Sequence, residues 1–216
     1  MMKDTVDLLK AGLEELGLRY SEKQAEAFMI YLEELKKWNK AYNLTALKTD
    51  RDIIIKHFLD SLLFAKTLPP GVLTLADIGS GAGFPGVPIK IMFPSLSVFL
   101  IEPTQKKAVF LRHISSKLQL QNVEIIDKRL EEVKGLQVDV AVTRALFSIK
   151  EFIEKTKDII NKNGILILSK GPGLEKELVG LEQGNISISD FKLPFGNVIR
   201  HIVIVGQYRG LSPKCN

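Results

Sequence analysis

Between residues 4 and 16 the apolar positions Val6, Leu9, Leu13 and Leu16 recur every three or four residues, the spacing of one helix face. Ser21 followed three residues later by Gln24 predicts a capping box, in which each side chain satisfies a backbone amide of the other. The helix that it opens carries Ala25, Phe28, Met29, Leu32 and Leu35 on one face and ends near Asn39 to Asn43. Another amphipathic helix is expected from about Asp50 to Thr67, with Ile54, Phe58, Leu62 and Ala65 at periodic positions. Pro69, Pro70 and Gly71 then break the chain. Residues 1–68 therefore read as an N-terminal helical part.

After the break the period changes. Short apolar runs at 72–78, 97–102, 123–127, 138–143 and 165–169 read as strands. Helical patterns separate them, for instance Phe110, Ile114, Leu118 and Phe152, Thr156, Ile159. Alternating buried strands and helices predict an α/β, Rossmann-like fold with a mostly parallel sheet covered on both faces. Two last runs, 186–192 and 201–208, flank a Pro194-Phe-Gly-Asn197 turn with no helix between them, so one antiparallel strand must enter the sheet.

Composition narrows the class. With 216 residues, 45% of them apolar, the chain can bury a sizeable core as one compact unit. Its lone cysteine, Cys215, rules out a disulfide framework or a cysteine-based metal site, and suits a reducing cytoplasm. His113 and His201 stand isolated, and no metal site is expected. Met1 to Lys10 carries charges where a signal peptide needs an apolar core. No apolar run approaches the ~18 residues of a membrane span. The net charge of +5 is uneven. Residues 1–35 hold four basic against eight acidic residues, and residues 36–66 hold seven against three. The basic stretch favours a polyanion, although a solvated helix face reads equally well from charge alone.

The chemistry concentrates at Leu75 to Gly86, where a strand ends and a helix begins. The register Asp77-x-Gly79-x-Gly81-x-Gly83 places an acid two residues before the first glycine. A carboxylate there suits a cofactor with a positive sulfonium and repels a dinucleotide pyrophosphate. The second strand ends at Glu102, 23 residues after Gly79, where an acid accepts ribose hydroxyls. Pro85 suits a first helical turn. A glycine turn serving only strand–helix packing is the alternative. By the switch-point rule the ligand lies beyond the carboxyl end of the first strand. A parallel sheet closed by an antiparallel hairpin is typical of class I methyltransferases and unusual for dehydrogenases. S-adenosylmethionine is the expected cofactor.

Six segments extend the match: Trp38-Asn-Lys-Ala-Tyr-Asn-Leu-Thr45, His57-Phe-Leu-Asp-Ser61, Asp77 to Gly86, Lys106-Lys-Ala-Val-Phe-Leu-Arg112, Thr143-Arg-Ala145 and Lys170-Gly171. Over nearly its full length the chain resembles the bacterial small-subunit rRNA (guanine-N-7) methyltransferases, known as RsmG or GidB. The first two segments are not shared with methyltransferases at large. The resemblance implies methyl transfer from S-adenosylmethionine to the N-7 of one guanine in 16S rRNA, naked or in the small ribosomal subunit. Residues 69–216 are then the cofactor-binding domain, packed with 1–68 as one globular unit, and the chain is a cytoplasmic monomer. By position the resemblance puts cofactor contacts at Gly79, Phe84, Leu130, Glu131 and Arg144. From its place after the third strand, Asp127 competes with Leu130 and Glu131.

Arg144 is the expected catalytic residue, since its planar fork can grip guanine O6 or a phosphate. An ion pair to a neighbouring helix is its alternative. RNA contacts are expected from Lys36, Lys37, Lys40, Lys48, Arg51 and Lys56, from Lys106, Lys107 and Arg112, and from Arg200 near the hairpin. His57 and Asp60 share a helix face and read as braces between the two parts, with RNA or cofactor contact as the other reading. Trp38 reads as a hydrophobic anchor rather than a base-stacking platform. A methyltransferase of another RNA or of protein, a dehydrogenase and a non-catalytic assembly factor are the competing readings.

Overall fold

In the computed structural model, Ser21 Oγ accepts from the Gln24 amide at 3.3 Å and Gln24 Oε1 accepts from the Ser21 amide at 2.8 Å. The expected capping box thus opens α2 (Glu22–Tyr42), which follows α1 (Met2–Glu15). Asn43 ends α2 in the left-handed region, φ 51°, and its amide returns to Asn39 O. The structure describes residues 2–144, 146–179, 181 and 185–206. Ala145, the 207–208 end of the last strand-like run and Cys215 lie outside the described residues.

The helix expected from Asp50 to Thr67 is corrected. It runs as α3 (Asp50–Ile53), a π-helical stretch (Ile54–Leu59) and α4 (Asp60–Ala65). An apolar stripe reports which face is buried, and Ile54, Phe58 and Leu62 stay buried through the widened turn. The sequence pattern therefore does not reveal it. Single widened turns of this kind recur at functional sites.

One seven-stranded sheet follows, in the order β3-β2-β1-β4-β5-β7-β6. Its strands are β1 (Thr74–Ile78), β2 (Ser97–Ile101), β3 (Val123–Ile126), β4 (Val138–Arg144), β5 (Ile160–Lys170), β6 (Ile186–Lys192) and β7 (Ile199–Val205). β1 to β5 are parallel, and β7 pairs antiparallel with both β5 and β6. The expected hairpin is present, its turn closed by Leu193 N donating to Val198 O at 2.9 Å. Successive strand residues enter cores on opposite faces, as period-two geometry requires. Ile165 and Ile167 join the N-terminal helices, α5 (Gly86–Met92) and α6 (Gln105–Lys117). Leu166 and Leu168 join α7 (Ile149–Thr156) and α8 (Leu174–Leu178). Pro85 stands one residue before α5 rather than inside its first turn, and its carbonyl accepts from Ile89 N at 3.2 Å.

Candidate active site

The strand order reverses between β1 and β4, so the carboxyl ends of these strands bound a crevice. Asp77 lies in β1 and the glycine loop follows it. Glu102 follows β2, Leu130 and Glu131 lie in a 3-10 turn (Leu130–Glu132) after β3, and Arg144 ends β4. The topology thus brings residues far apart in sequence to one edge of the sheet.

Gly79, Gly81 and Gly83 all have positive φ, at 75°, 60° and 100°. A Cβ at Gly83 would lie 2.7 Å from Tyr31 Oη and from Val87 Cγ2, so packing fixes this glycine. A Cβ at Gly81 would meet nothing nearer than 3.9 Å, so the space beside Gly81 is open to a ligand. The Gly79 and Ser80 amides both return to Ile101 O, which folds the loop over the end of β2. Glu102 is buried and holds two amides, Gly81 N at 2.9 Å and Thr104 N at 2.8 Å. The acid after β2 and the loop after β1 are therefore one unit.

Asp77 is fully buried. Its Oδ2 accepts from Gly86 N at 2.8 Å, and its Oδ1 has no partner among the described residues. Burial pushes the carboxyl up to about 7, against the pull of the Gly86 amide and of Arg144. An unpartnered buried carboxylate oxygen is costly unless something positive or hydrogen-bonding meets it.

Arg144 is held on three sides. Its guanidinium donates to Lys56 O at 3.1 Å, to His57 Nδ1 at 3.0 Å and more weakly to Asp60 Oδ2 at 3.4 Å. It lies over the Phe84 ring, 5.4 Å from the centroid. Asp60 Oδ1 also accepts from Arg200 Nε at 2.8 Å, so β7, α4 and β4 meet at one buried carboxylate. Because His57 Nδ1 accepts from Arg144, its proton sits on Nε2 and donates to Thr45 Oγ1 at 2.6 Å. Burial, then the Arg144 charge, lowers the imidazole to about 3. His57 also stacks on Phe84, with centroids 4.3 Å apart, and Tyr31 stacks on Phe84 at 5.3 Å. His57 and Asp60 thus tie the helical run before Pro69 to β4, β7 and the glycine loop.

Other expected residues stand as follows. Leu130 packs in the core with Ala76 and Ile78, while Glu131 is exposed and bonds Lys155 of α7. Asp127 is paired with Arg112 at 2.7 Å. Lys36 bonds Asp50 at 2.8 Å and Glu33 at 3.3 Å, Lys56 bonds Asp52 at 2.6 Å, and Arg51 lies over the Phe195 ring. Lys37, Lys40, Lys48 and Lys106 are exposed and Lys107 is half-buried. Trp38 packs on Tyr42, Phe110 and His113, as an anchor between α2 and α6. The expected isolation of His113 and His201 is corrected: Glu34 bonds the first at 2.6 Å and Asp190 the second at 2.7 Å. Both partners lie too far along the chain for local spacing to indicate them.

A family model described as rRNA small subunit methyltransferase G matches residues 24–203. The chain belongs to this family. It is 34% identical over 219 residues to Ribosomal RNA small subunit methyltransferase G of Acetivibrio thermocellus, covering 96% of this chain and 90% of that one. The relative of the same name from Geotalea uraniireducens is 38% identical over 208 residues, covering 92% and 94%. Solved structures share the fold at low identity. A ribosomal protein L11 methylase from Lactobacillus delbrueckii subsp. bulgaricus matches with TM-score 0.53 and 17% identity, over 71% of this chain and 79% of that one. A SAM dependent methyltransferase from Aquifex aeolicus matches with TM-score 0.53 and 19% identity, over 71% and 93%.

One residue of the site escaped sequence reading. Tyr31, fully buried on α2, donates to Ala82 O at 2.5 Å and so holds the glycine loop from the helical part. Its spacing of three from Phe28 and four from Leu35 places it on the buried face, but nothing local marks its hydroxyl for the loop.

Proposed function

We propose that this family member binds S-adenosylmethionine beside Gly81 and transfers its methyl group to the N-7 of one guanine in 16S rRNA. The observation that carries the reading is the unpartnered Asp77 Oδ1, buried at the switch point next to an open glycine loop. The residues fit this cofactor: Asp77 meets positive charge, Gly81 admits close approach, and Glu102 keeps lone pairs for ribose hydroxyls. When bound, S-adenosylmethionine supplies a methyl group activated on a sulfonium. Resemblance to the family assigns Phe84, Leu130 and Glu131 to the cofactor as well, with Glu131 giving up its Lys155 pair to reach it.

Guanine N-7 has an in-plane lone pair and no proton to lose, so the chain needs no general base. Its task is positioning, with reacting atoms held in line at about 3–3.5 Å. Three of the five Arg144 donors are committed to Lys56, His57 and Asp60, and the rest serve guanine O6 or a phosphate. Lys37, Lys40, Lys106 and Lys107 lie along α2 and α6 and receive RNA, with Lys36, Arg112 and Arg200 contributing from within ion pairs and Arg51 from above the Phe195 ring. In this reading residues 1–68 form the RNA-facing part and 69–216 the donor-binding domain of a cytoplasmic monomer. No helix among the described residues is long and apolar enough to cross a membrane.

The test compares stripped small subunits, naked 16S rRNA and bulk protein as methyl acceptors. Label in rRNA supports the reading, and label in protein alone overturns it. Calorimetry adds a separate check on the cofactor: S-adenosylhomocysteine binds and NADH does not.

A further inference from the structure

We infer that a cleft of about 650 Å³ on the N-terminal helical part holds the phosphodiester backbone of an unpaired RNA stretch beside the target guanine. This rests on the rRNA reading above and adds the place where the strand is anchored. The cleft forms where α2 ends and the chain turns toward α3, lined by Lys36, Asn39, Lys40, Asn43, Thr45 and Lys48 among others.

The charge balance selects an anion. Among the described residues no acidic side chain lines the cleft, although Asp50 and Glu33 reach Lys36 at its edge. Lys36 is engaged by Asp50 and Glu33 and contributes least. Lys40 and Lys48 are exposed and have no ion-pair partner among the described residues. The carboxyl end of α2 opposes them with about half a negative charge, which two full positive charges outweigh. The hydrogen bonding suits a backbone as well. Asn39 Oδ1 accepts from Thr45 N at 2.9 Å, which leaves its amide nitrogen as a donor.

Position decides which strand the cleft serves. Thr45 lines the cleft, and its hydroxyl bonds His57, whose ring stacks on Phe84 of the glycine loop. One imidazole therefore separates the cleft wall from the donor loop. N-7 faces the deep, narrow groove of A-form RNA, so the target must be unpaired or splayed out. An unpaired strand has no helical register of its own, and backbone contacts must supply its position.

The experiment uses the full chain with a 16S rRNA transcript, comparing wild type with Lys40→Gln/Lys48→Gln. Affinity is measured across a salt series, and KM, kcat and S-adenosylhomocysteine affinity are measured alongside. Two lost phosphate contacts should shrink the slope of log affinity against log salt by about 1.4, at ~0.7 per contact for single strands. KM for RNA should rise about tenfold, more than any fall in kcat. S-adenosylhomocysteine affinity stays at wild type, which shows that the fold is kept. Lys40→Arg/Lys48→Arg should retain the slope. The proposal is overturned if the glutamine pair keeps the wild-type slope and KM. It is equally overturned if Lys134→Gln/Lys162→Gln, at the amino ends of β4 and β5, produces the same change. Wild-type methylation of the transcript, run first, separates a failure of the cleft from a failure of the rRNA reading.

Discussion

Asp77 and His57 give the site opposite responses to pH. His57, lowered to about 3, binds fewer protons folded than unfolded up to its ordinary 6.5, so it makes stability rise with pH across that window. Asp77, raised from 3.8 to about 7, binds more protons when folded, so it makes stability fall as pH rises through its own window. Each contributes up to about 1.4 kcal/mol per pH unit, and the slopes nearly cancel between about pH 4.5 and 6.5. Single substitutions should separate them. In Asp77→Asn the urea midpoint should climb with pH over this range, and in His57→Gln it should drop. Slopes parallel to wild type in both would mean that the two groups titrate normally. Arg144 makes a second prediction at this scale. A lysine cannot reach Lys56 O, His57 Nδ1 and Asp60 together. Arg144→Lys should therefore keep its circular dichroism spectrum and lose single-turnover methylation on the order of 100-fold. Wild-type turnover by the folded variant would remove Arg144 from the mechanism.

At the level of elements, the helical part does more than sit beside the sheet. α2 sends Tyr31 to the glycine loop, and the π-helical stretch turns the Lys56 carbonyl and His57 toward Arg144. Tyr31→Phe keeps the ring stack on Phe84 but leaves the buried Ala82 carbonyl unpaired. It should cost about 1–3 kcal/mol in urea unfolding, with a matching loss of S-adenosylhomocysteine affinity in calorimetry. Lost stability with unchanged affinity would confine Tyr31 to packing. These contacts also mark what the sequence discloses. Although the left-handed conformation of Asn43 was not read, the capping box at Ser21, the end of α2 near Asn39 to Asn43 and the closing hairpin are local, set by residues within a few positions, and all were legible. So were the loop and the acid after β2, because strand-to-loop spacing is local too. The π-helical turn leaves the apolar stripe unchanged, and the Tyr31–Ala82 bond spans 51 residues, so neither had a local signal.

Across the whole molecule, Asp60 joins Arg144 of the crevice to Arg200 of the hairpin, so the strand that closes the sheet also reaches the site. Charge follows the same division. The acidic start of the chain gives way to a basic stretch that lines the cleft beside His57, while Asp77 of β1 and Glu102 after β2 are buried acids that flank the glycine loop. On the proposed reading, the acids flanking the glycine loop receive a cationic cofactor and the basic cleft an anionic strand. That division predicts a single product. The most direct measurement is mass mapping of 16S rRNA after incubation of unmethylated small subunits with the protein and labelled S-adenosylmethionine. One guanine should carry the label at N-7, and in a timed incubation Arg144→Lys should place that label on the order of 100-fold more slowly. Label on another atom or another class of molecule, or no transfer by the folded wild type, would contradict the account.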